Sequence, residues 1–345
     1  MSKKSQTTNG NGAAGYVAPV WFISHGGPPT MFDPSHPAYA EWEKFGQEIR
    51  KEHNDGNGGL KGLIAISAHW QSTIAGVLEV NTNERNPLYY DFFGFPDHYY
   101  TVKVKSHNPS AFSTLVLSEL NHALSTQSNP SLSLHKAVPT SRGLDHGAFV
   151  PLKVAFAPSS LEASNGGWSE LKSAKVVSAL PSTLPLLQVS LPPSDDPEAS
   201  LRLGVALRTL RTQHGIGIFA SGMAVHNLRE LFLYLDIESA AGQNSSPSRD
   251  KGVYASYAKS FAEALGNAVG AEPKAKQAQV GNEAARDVDE DSRWQAAKDL
   301  LNRSDYKKAH PTAEHLLPVF VALGAVKSHE RFAQTFKLPE GSMAW

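Results

Sequence analysis

A chain of 345 residues, of which 41% are hydrophobic and 19% charged, has the composition of an ordinary globular protein and is long enough to bury a substantial core. Its formal net charge of -1 gives no electrostatic reason to expect nucleic acid or an anionic membrane surface as a partner. Cysteine is absent, which excludes disulfides, thiolate nucleophiles and cysteine-ligated metal sites. Any metal must therefore bind nitrogen and oxygen ligands.

The N-terminal segment differs in composition from the rest of the chain. Residues 1–16 are polar and rich in glycine and asparagine, so we expect a disordered leader followed by one folded domain over residues 17–345. The leader lacks the apolar stretch of a signal peptide, and no later run reaches the roughly 18 apolar residues of a membrane span. We therefore expect a cytoplasmic location and no membrane partner. The expected assembly is a monomer or a small homo-oligomer.

Short apolar runs alternate with longer helical patterns along the chain. Strands are predicted at residues 20–24, 62–67, 76–81, 99–105, 184–191 and 215–221. Helices are predicted at residues 36–52, 109–124, 197–213, 254–270 and 311–325. This alternation indicates an α/β protein: a single layered α/β/α domain with a central, largely buried mixed sheet.

Three polar or charged segments interrupt the pattern. Residues 157–175 and 239–252 are small and polar, which predicts surface loops added to a compact body. Residues 271–293 are charged and alanine-rich, which is typical of a solvent-exposed helix or of a mobile excursion. No internal repeat and no linker with a core on both sides is found, so one domain is the simpler interpretation.

Histidines lie at or just beyond the ends of three predicted strands. His25 follows "VWFIS", His69 lies just beyond "GLIAIS", and His226 comes shortly after "GIGIFAS". Because the carboxyl ends of strands in an open α/β sheet face a common crevice, these side chains are expected to converge. Converging neutral imidazoles are typical ligands of Zn(II), Fe(II), Cu or Ni. Three hydrogen-bonded histidines in a polar cleft are the alternative interpretation.

Two further histidines have contexts that favour chemistry. His146 follows a glycine turn beside Asp145, ahead of an apolar helix start, where it could exchange protons. A helix-capping network around Asp145 is the alternative. We expect Pro311 to open a helix with Glu314 and His315 in its first turn, which makes His315 a candidate fourth metal ligand or proton carrier.

An aromatic run, "NPLYYDFFGFPDHYY", occupies residues 86–100. Its ring density, together with Gly94 and Pro96, is unsuited to a regular strand. It predicts a loop that packs rings around a pocket mouth, or a small aromatic cluster under a loop.

Six motifs in order form a more specific pattern. They are "SHGGPP", "ISAHW", "DFFGFPDHYY", "GLDHGAFVPL", "ASGMAVHNL" and "HPTAEHLLPVFVALGA", and they span the chain from about residue 17 to its end. Taken together, they resemble the class III extradiol ring-cleavage dioxygenases, and specifically the 4,5-DOPA dioxygenase-type branch.

The resemblance implies a single α/β domain whose mononuclear non-haem iron site splits a catechol ring beside its two hydroxyls, using O2. By motif position, the family's metal ligands correspond to His25, His69 and His226, and its acid/base histidine corresponds to His146. Its further active-site histidine corresponds to His315, which can complete the metal shell in zinc-loaded members. Fe(II) is therefore the expected cofactor, with Zn(II) an alternative bound metal, and a small aromatic diol and O2 are the expected partners.

One stretch differs from the plant members that make pigment precursors. Those members carry a Pro-Ser-Asn-Asp stretch directly after the third histidine, whereas "HNLREL" begins at His226 here. The catechol is therefore left open, with DOPA-like catechols among the candidates. Two other functions stay open as alternatives: a zinc-dependent hydrolase, and a catalytically silent homologue that binds a metal or an aromatic ligand.

Overall fold

The computed structural model describes residues 15–54, 59–126, 134–158, 177–231, 233–234, 254–270, 272–273 and 289–345. Nearly all of the predicted leader and of the 157–175 segment, all of residues 239–252 and most of residues 271–293 lie outside these ranges. The longer helices and strands that the structure contains are given next, in chain order.

The strands up to residue 222 include all those of the central sheet. They are β1 (Val20–Ser24), β2 (Gly62–Gln71), β3 (Val77–Asn81), β4 (Lys103–Lys105), β5 (Lys136–Thr140), β6 (Val177–Ala179), β7 (Leu186–Leu191) and β8 (Ile216–Gly222). Six of them form one sheet in the order β1-β8-β2-β7-β3-β5, and β4 pairs with β6 beside it. Neighbours in the sheet are parallel except β3 and β7, which makes the sheet mixed.

The described helices include those that cover the two faces of this sheet. They are α1 (Pro37–Asn54), α2 (Ser110–Thr126), α3 (His146–Ala155), α4 (Pro197–Ala206), α5 (Arg208–Thr212), α6 (Ser256–Ala268), α7 (Glu290–Asp299), α8 (Tyr306–Ala309) and α9 (Leu317–Ala325). Short strands follow at β9 (Val225–His226), β10 (Glu272–Pro273), β11 (Ala333–Gln334), β12 (Pro339–Glu340) and β13 (Met343–Ala344). Strands β12, β13 and β9 form a small sheet of their own.

Alternate residues of β2 separate the two layers of the core. Leu63 and Ala65 pack in one cluster with side chains of α1 and α3. Ile64 and Ile66 point the other way and pack with α2, α4 and α9. Both faces of the strand are thus covered, as expected for a parallel strand that reads as a continuous apolar run. The predicted α/β/α layering and the central, largely buried mixed sheet are confirmed.

Three predicted elements differ from the structure. The 99–105 strand is confined to β4, preceded by a 3-10 turn at Asp97–Thr101. The 197–213 helix is divided at Leu207 into α4 and α5.

The third difference moves Glu314 and His315 out of a helix. Residues 311–316 form turns, and α9 begins only at Leu317, so the predicted helix start at Pro311 is wrong. Two causes act together: Pro318 suits the first helical turn, and the His315 carbonyl accepts a hydrogen bond from the Met223 N–H at 2.9 Å. Within the described ranges, no helix combines the length and apolar character needed to cross a bilayer.

Candidate metal centre

His25 lies directly after β1 and is held by the neighbouring strand β8. Its backbone N–H donates to Gly222 O at 3.1 Å, and its Nδ1 lies 3.0 Å from Ser221 Oγ. The Ser221 hydroxyl donates its only proton to Gly147 O at 2.5 Å, so its oxygen must accept from the imidazole. His25 is therefore protonated at Nδ1 and leaves the Nε2 lone pair free.

His69 lies inside β2, at an irregularity of the sheet. The register of β2 against β7 shifts between Ile66 and Gln71, which is the kind of bulge that re-aims a side chain. His69 Nε2 lies 3.0 Å from His25 Nε2 and 3.2 Å from His315 Nε2. Three imidazole nitrogens therefore meet around His69.

His146 is the first residue of α3, and Asp145 is its N-cap. The Asp145 carboxylate accepts a hydrogen bond from the Ala148 N–H, so the capping interpretation is correct for Asp145. The His146 ring nevertheless faces the cluster, with its centroid 3.8 Å from that of His69. Asp145 thus caps the helix, and the adjacent His146 contributes its ring to the histidine cluster.

Gly147 permits the close approach of α3 to β2. A Cβ at this position would overlap Ser67 Oγ and would lie 3.0 Å from His69 Cδ2. The small residue after His146 is therefore what lets the two histidines lie side by side.

Asp91 contacts two of the histidines and was missed by the sequence analysis, which treated residues 86–100 only as an aromatic run. Its Oδ1 accepts from His146 Nδ1 and from the His146 backbone N–H, each at 2.9 Å. Its Oδ2 lies 3.5 Å from His69 Nδ1. Burial opposes ionisation, but the hydrogen bond from His146 and the charges of His146 and His69 hold the pKa of Asp91 below its usual value. No signal within the aromatic run could have revealed it, since the run contains a second carboxylate, Asp97, which is exposed.

His315 joins the cluster from the turn before α9. Its Nδ1 lies 3.1 Å from Glu314 Oε1, which leaves Nε2 directed at His69. The His226 ring stacks on the His315 ring, with centroids 3.4 Å apart and planes 9° apart. Glu314 is therefore placed to orient the His315 ring.

Burial determines the protonation of these imidazoles. It is the largest cause that lowers the pKa of His69 to about 4 and that of His226 to about 3, and repulsion between neighbouring histidines adds to it. The pKa values of His25 and His315 are lowered well below the ordinary value for the same two reasons. All four are therefore neutral near pH 7, which is the form that binds a metal.

The donor atoms have the spacing that a metal requires. With bonds of about 2.1 Å, two nitrogens lie about 3.0 Å apart at a right angle and about 3.4 Å apart at the tetrahedral angle. The two Nε2 separations of 3.0 and 3.2 Å fall at or within this range. A cation between these nitrogens would also relieve the repulsion between facing lone pairs. The residues present therefore fit a divalent metal.

The structure divides the predicted site residues into two touching groups. Ligand atoms of His25, His69 and His146 lie within 4.8 Å of one another, and so do those of His226, Glu314 and His315. The His69–His315 contact joins the groups. His226 lies behind His315 rather than in the tighter group, and the exact ligand set stays a prediction.

Arg142 is a second residue that the sequence analysis missed. Its guanidinium lies 4.8 Å from the ring centres of both Trp70 and Tyr89. It donates to the His69 carbonyl and to Asp145 Oδ2, each at 3.0 Å. Arg142 thus fixes the backbone of His69 and the cap of α3 together, and Trp70, the residue after His69, supports it.

Residues 19–339 match the model of a protein family described as the catalytic LigB subunit of aromatic ring-opening dioxygenase. The chain belongs to the LigB family. The match runs across nearly the whole chain, so the resemblance to class III extradiol dioxygenases is confirmed. Membership of the LigB family supports activity as an aromatic ring-cleaving dioxygenase. The histidine cluster at the ends of the strands supplies a site that could hold the metal of such an enzyme.

Curated relatives of this LigB-family chain carry related names. A 4,5-DOPA dioxygenase extradiol-like protein of Schizosaccharomyces pombe is 28% identical over 266 residues, which are 76% of this chain and 67% of that protein. Dioxygenase tasH of Hapsidospora irregularis is 28% identical, and the match covers 91% of this chain and 80% of that protein. The 4,5-DOPA dioxygenase extradiol of Beta vulgaris is 25% identical, and the match covers 93% of this chain and 91% of that protein.

A solved structure shares the fold. An uncharacterised protein from Escherichia coli K12 superposes with a TM-score of 0.58 and 19% sequence identity. The match covers 95% of this chain and 97% of that one. At this identity the likeness shows the fold alone.

Proposed function

We propose that this LigB-family chain is an extradiol dioxygenase that opens the ring of a catechol-type substrate with O2 at a mononuclear non-haem metal. The observation that carries the proposal is the convergence of three imidazole Nε2 atoms, from His25, His69 and His315. Each of these rings has its Nδ1 beside an oxygen, from Ser221, Asp91 and Glu314 respectively. Such partners fix the ring orientation and raise the basicity of a metal-binding histidine.

By correspondence with the family's motifs, the proposed ligands of the metal are His25, His69 and His226, of which His226 stacks behind His315 in this structure. His315 is either a fourth ligand or a proton carrier beside the metal. We propose Fe(II) for the active enzyme, and the same nitrogens would also bind Zn(II). When bound, Fe(II) would supply open positions for the diol and O2 and a path for electrons between them.

His146 is the proposed acid/base. Because its Nδ1 donates to Asp91, its Nε2 is the atom that can take a proton from a catechol hydroxyl. The Asp91 carboxylate then stabilises the imidazolium that forms, and the same nitrogen can return the proton to the opening ring. This division of roles follows the general logic of a histidine oriented by a buried carboxylate.

Aromatic side chains lie beside His146, and we propose that the planar substrate binds against them. The Phe92 ring centroid lies 5.9 Å from that of His146 and 5.1 Å from that of Tyr100. Tyr90 packs edge-on against Phe149 of α3 at 5.7 Å. Aromatic side chains are the kind of surface on which a planar substrate ring packs favourably.

The test is oxygen uptake by anaerobically Fe(II)-loaded protein across a panel of catechols, with formation of a coloured ring-fission product. We expect His146→Ala to lose roughly 100-fold or more of the turnover and to keep its metal, since only the general acid/base is removed. His122→Ala, on the exposed side of α2, is the matched control.

Three results would change the assignment. Full activity of the His146 variant would return that residue to a structural role, and loss of its metal would make it a ligand. Turnover of esters or amides with Zn(II), and none of catechols with iron, would favour a hydrolase.

A further inference from the structure

Residues 339–345 form a short hairpin, here named the C-terminal strap, that contacts the metal centre from two sides. Strands β12 and β13 pair across Gly341, which has a φ of +56°, and the Trp345 N–H closes the hairpin on Leu338 O at 3.0 Å. None of the strap residues was singled out from the sequence. The contacts of the strap distinguish it from an ordinary surface segment.

The first contact is with the segment that carries His226. In the antiparallel register, Met343 of the strap is paired with His226 and Ala344 with Val225. Ser342 Oγ donates to Asn227 O at 2.5 Å. Among the described strands, β13 is the only partner of β9. The backbone of His226 is therefore ordered by the strap and not by the central sheet.

The second contact is with the segment that carries His25. The Trp345 ring fills the space over Gly26, where a Cβ would overlap its six-membered ring. Gly26 has a φ of +55°, a conformation that side-chain-bearing residues rarely adopt. The backbone directly after His25 thus lies between the Trp345 ring and Met223, whose Sδ is 3.2 Å from the Gly26 nitrogen.

The Trp345 ring is itself fixed on several sides. Its centroid lies 4.4 Å from that of His36 and 6.0 Å from that of Trp42. Its Nε1–H donates to Glu340 Oε2 at 3.0 Å. The same carboxylate oxygen lies 3.0 Å from His36 Nε2, which must be the protonated nitrogen because Nδ1 accepts from the Ala38 N–H. Trp345 therefore has little freedom to move away from Gly26.

We infer that the C-terminal strap is a positioning element of the metal centre, with Trp345 acting through Gly26 on His25 and Met343 acting through the β9 backbone on His226. The inference rests on the proposed metal site, and the strap residues lie outside the six motifs. One rigid hairpin sets the distance between two histidines that are 201 positions apart in sequence, from residue 25 to residue 226. A change in the strap therefore alters metal affinity without touching a ligand.

The test compares two tryptophan truncations by their affinity for Zn(II), measured in competition with a chromophoric chelator. Trp345→Ala removes the ring over Gly26 and is expected to weaken Zn(II) binding by about 10-fold or more, the scale of losing a group that orients ligands. Trp294→Ala removes an equally large buried ring from α7, a helix that carries none of the proposed ligands, and is expected to leave Zn(II) affinity unchanged. Trp345→Phe, which keeps a ring over Gly26, is expected to restore most of the affinity.

A double-mutant cycle identifies the route of the effect. Gly26→Ala should weaken Zn(II) binding in the wild-type background and have a smaller effect in Trp345→Ala, because the ring that its Cβ strikes is then missing. Equal Zn(II) affinity of wild type and Trp345→Ala, or an equal loss in Trp294→Ala, would overturn the inference. If Trp345→Ala does not fold, Trp345→Leu replaces it as the variant without a ring over Gly26, and wild-type Zn(II) affinity in Trp345→Leu would overturn the inference. Because Zn(II) binding is measured without turnover, absence of dioxygenase activity would refute the proposed function and leave the strap inference standing.

Discussion

Asp91 connects a proposed metal ligand with the proposed acid/base. One oxygen of its carboxylate accepts two hydrogen bonds from His146, and the other lies beside His69 Nδ1. A neutral amide of the same shape could not accept at both oxygens, since one of its polar atoms is a donor. The negative charge that stabilises a protonated His146 would also be lost.

We predict that Asp91→Asn lowers the turnover of the iron-loaded enzyme by roughly 10- to 100-fold and weakens metal affinity, as for other residues that orient metal-bound histidines. Steady-state oxygen uptake and chelator competition measure the two effects. Asp97→Asn, an exposed change in the same segment, is the control. Wild-type values of both quantities in Asp91→Asn would show that the carboxylate has no role in positioning.

The buried histidines make the metal-free protein sensitive to acid. His310, which is fully buried with Nε2 3.0 Å from Ala224 O, has its pKa lowered by burial to about 4. Below its ordinary pKa of about 6.5, the unfolded chain takes up a proton that the folded chain does not. The free energy of unfolding therefore falls as the pH falls from about 6.5 towards about 4, and is unaffected by this group at higher pH.

We predict that the urea midpoint of the metal-free protein decreases steadily between pH 7 and pH 5. His310→Gln should lower the pH slope by about 1 kcal/mol for each pH unit averaged over this window, because the unfolded chain takes up nearly one proton more than the folded chain only towards its lower end. Urea titrations followed by circular dichroism supply the slopes. An identical slope in the variant would mean that His310 is protonated in the folded state.

Only part of this residue-level arrangement can be predicted from sequence. His25, His69 and His226 are marked by their positions at or beyond strand ends, and His146 and His315 by their local contexts and by motif resemblance. Asp91, Ser221 and Arg142 act through contacts that join segments far apart in the chain. Nothing local to these three residues separates them from ordinary polar residues of a loop or strand.

At the scale of elements, the site depends on how closely α3 approaches β2. The contact is at Gly147, where added volume would strike Ser67 and His69. A methyl group there would push the helix that carries His146 away from the strand that carries His69. The distance between His69, a proposed ligand, and His146, the proposed acid/base, would then increase, and the packing of the core around α3 would also change.

We predict that Gly147→Ala lowers both the melting temperature and the Zn(II) affinity. Gly266→Ala is the matched control, because its Cβ would meet nothing closer than 3.7 Å and it lies within α6. There, alanine should stabilise the protein by about 0.5 to 1 kcal/mol through its higher helix propensity. Unchanged Zn(II) affinity in Gly147→Ala would contradict the close coupling of α3 and β2.

The helices and strands could be predicted where a local sequence pattern sets their bounds. They could not be predicted where contacts with distant parts of the chain set those bounds. The apolar run at 62–67 identifies β2, but the continuation of the strand to Gln71 across a bulge depends on β7. The start of α9 depends on the bond between Met223 and the His315 carbonyl, which no sequence pattern near Pro311 reveals. Strand β9 is two residues long and forms only because β13 pairs with it.

At the scale of the whole molecule, the strand order explains why distant histidines meet. Strands β1, β8 and β2 are adjacent and parallel, so their carboxyl ends lie at one edge of the sheet. His25 follows the first of these strands, His226 comes after the second, and His69 lies near the end of the third. The layering of helices on the sheet and the convergence of the histidines at one sheet edge were both predictable from the alternating apolar runs. Parallel strands with both faces buried require helices on each face and place their carboxyl ends together.

The central claim is that this histidine cluster, with a metal bound, inserts dioxygen into an aromatic diol. The most direct measurement is mass spectrometry of the product formed from a catechol by the Fe(II)-loaded protein under 18O2. We predict a ring-opened product that carries both labelled oxygen atoms, allowing for exchange of the aldehyde oxygen with water. An unopened quinone without label, or a product whose oxygen comes only from water under conditions of slow exchange, would contradict the account.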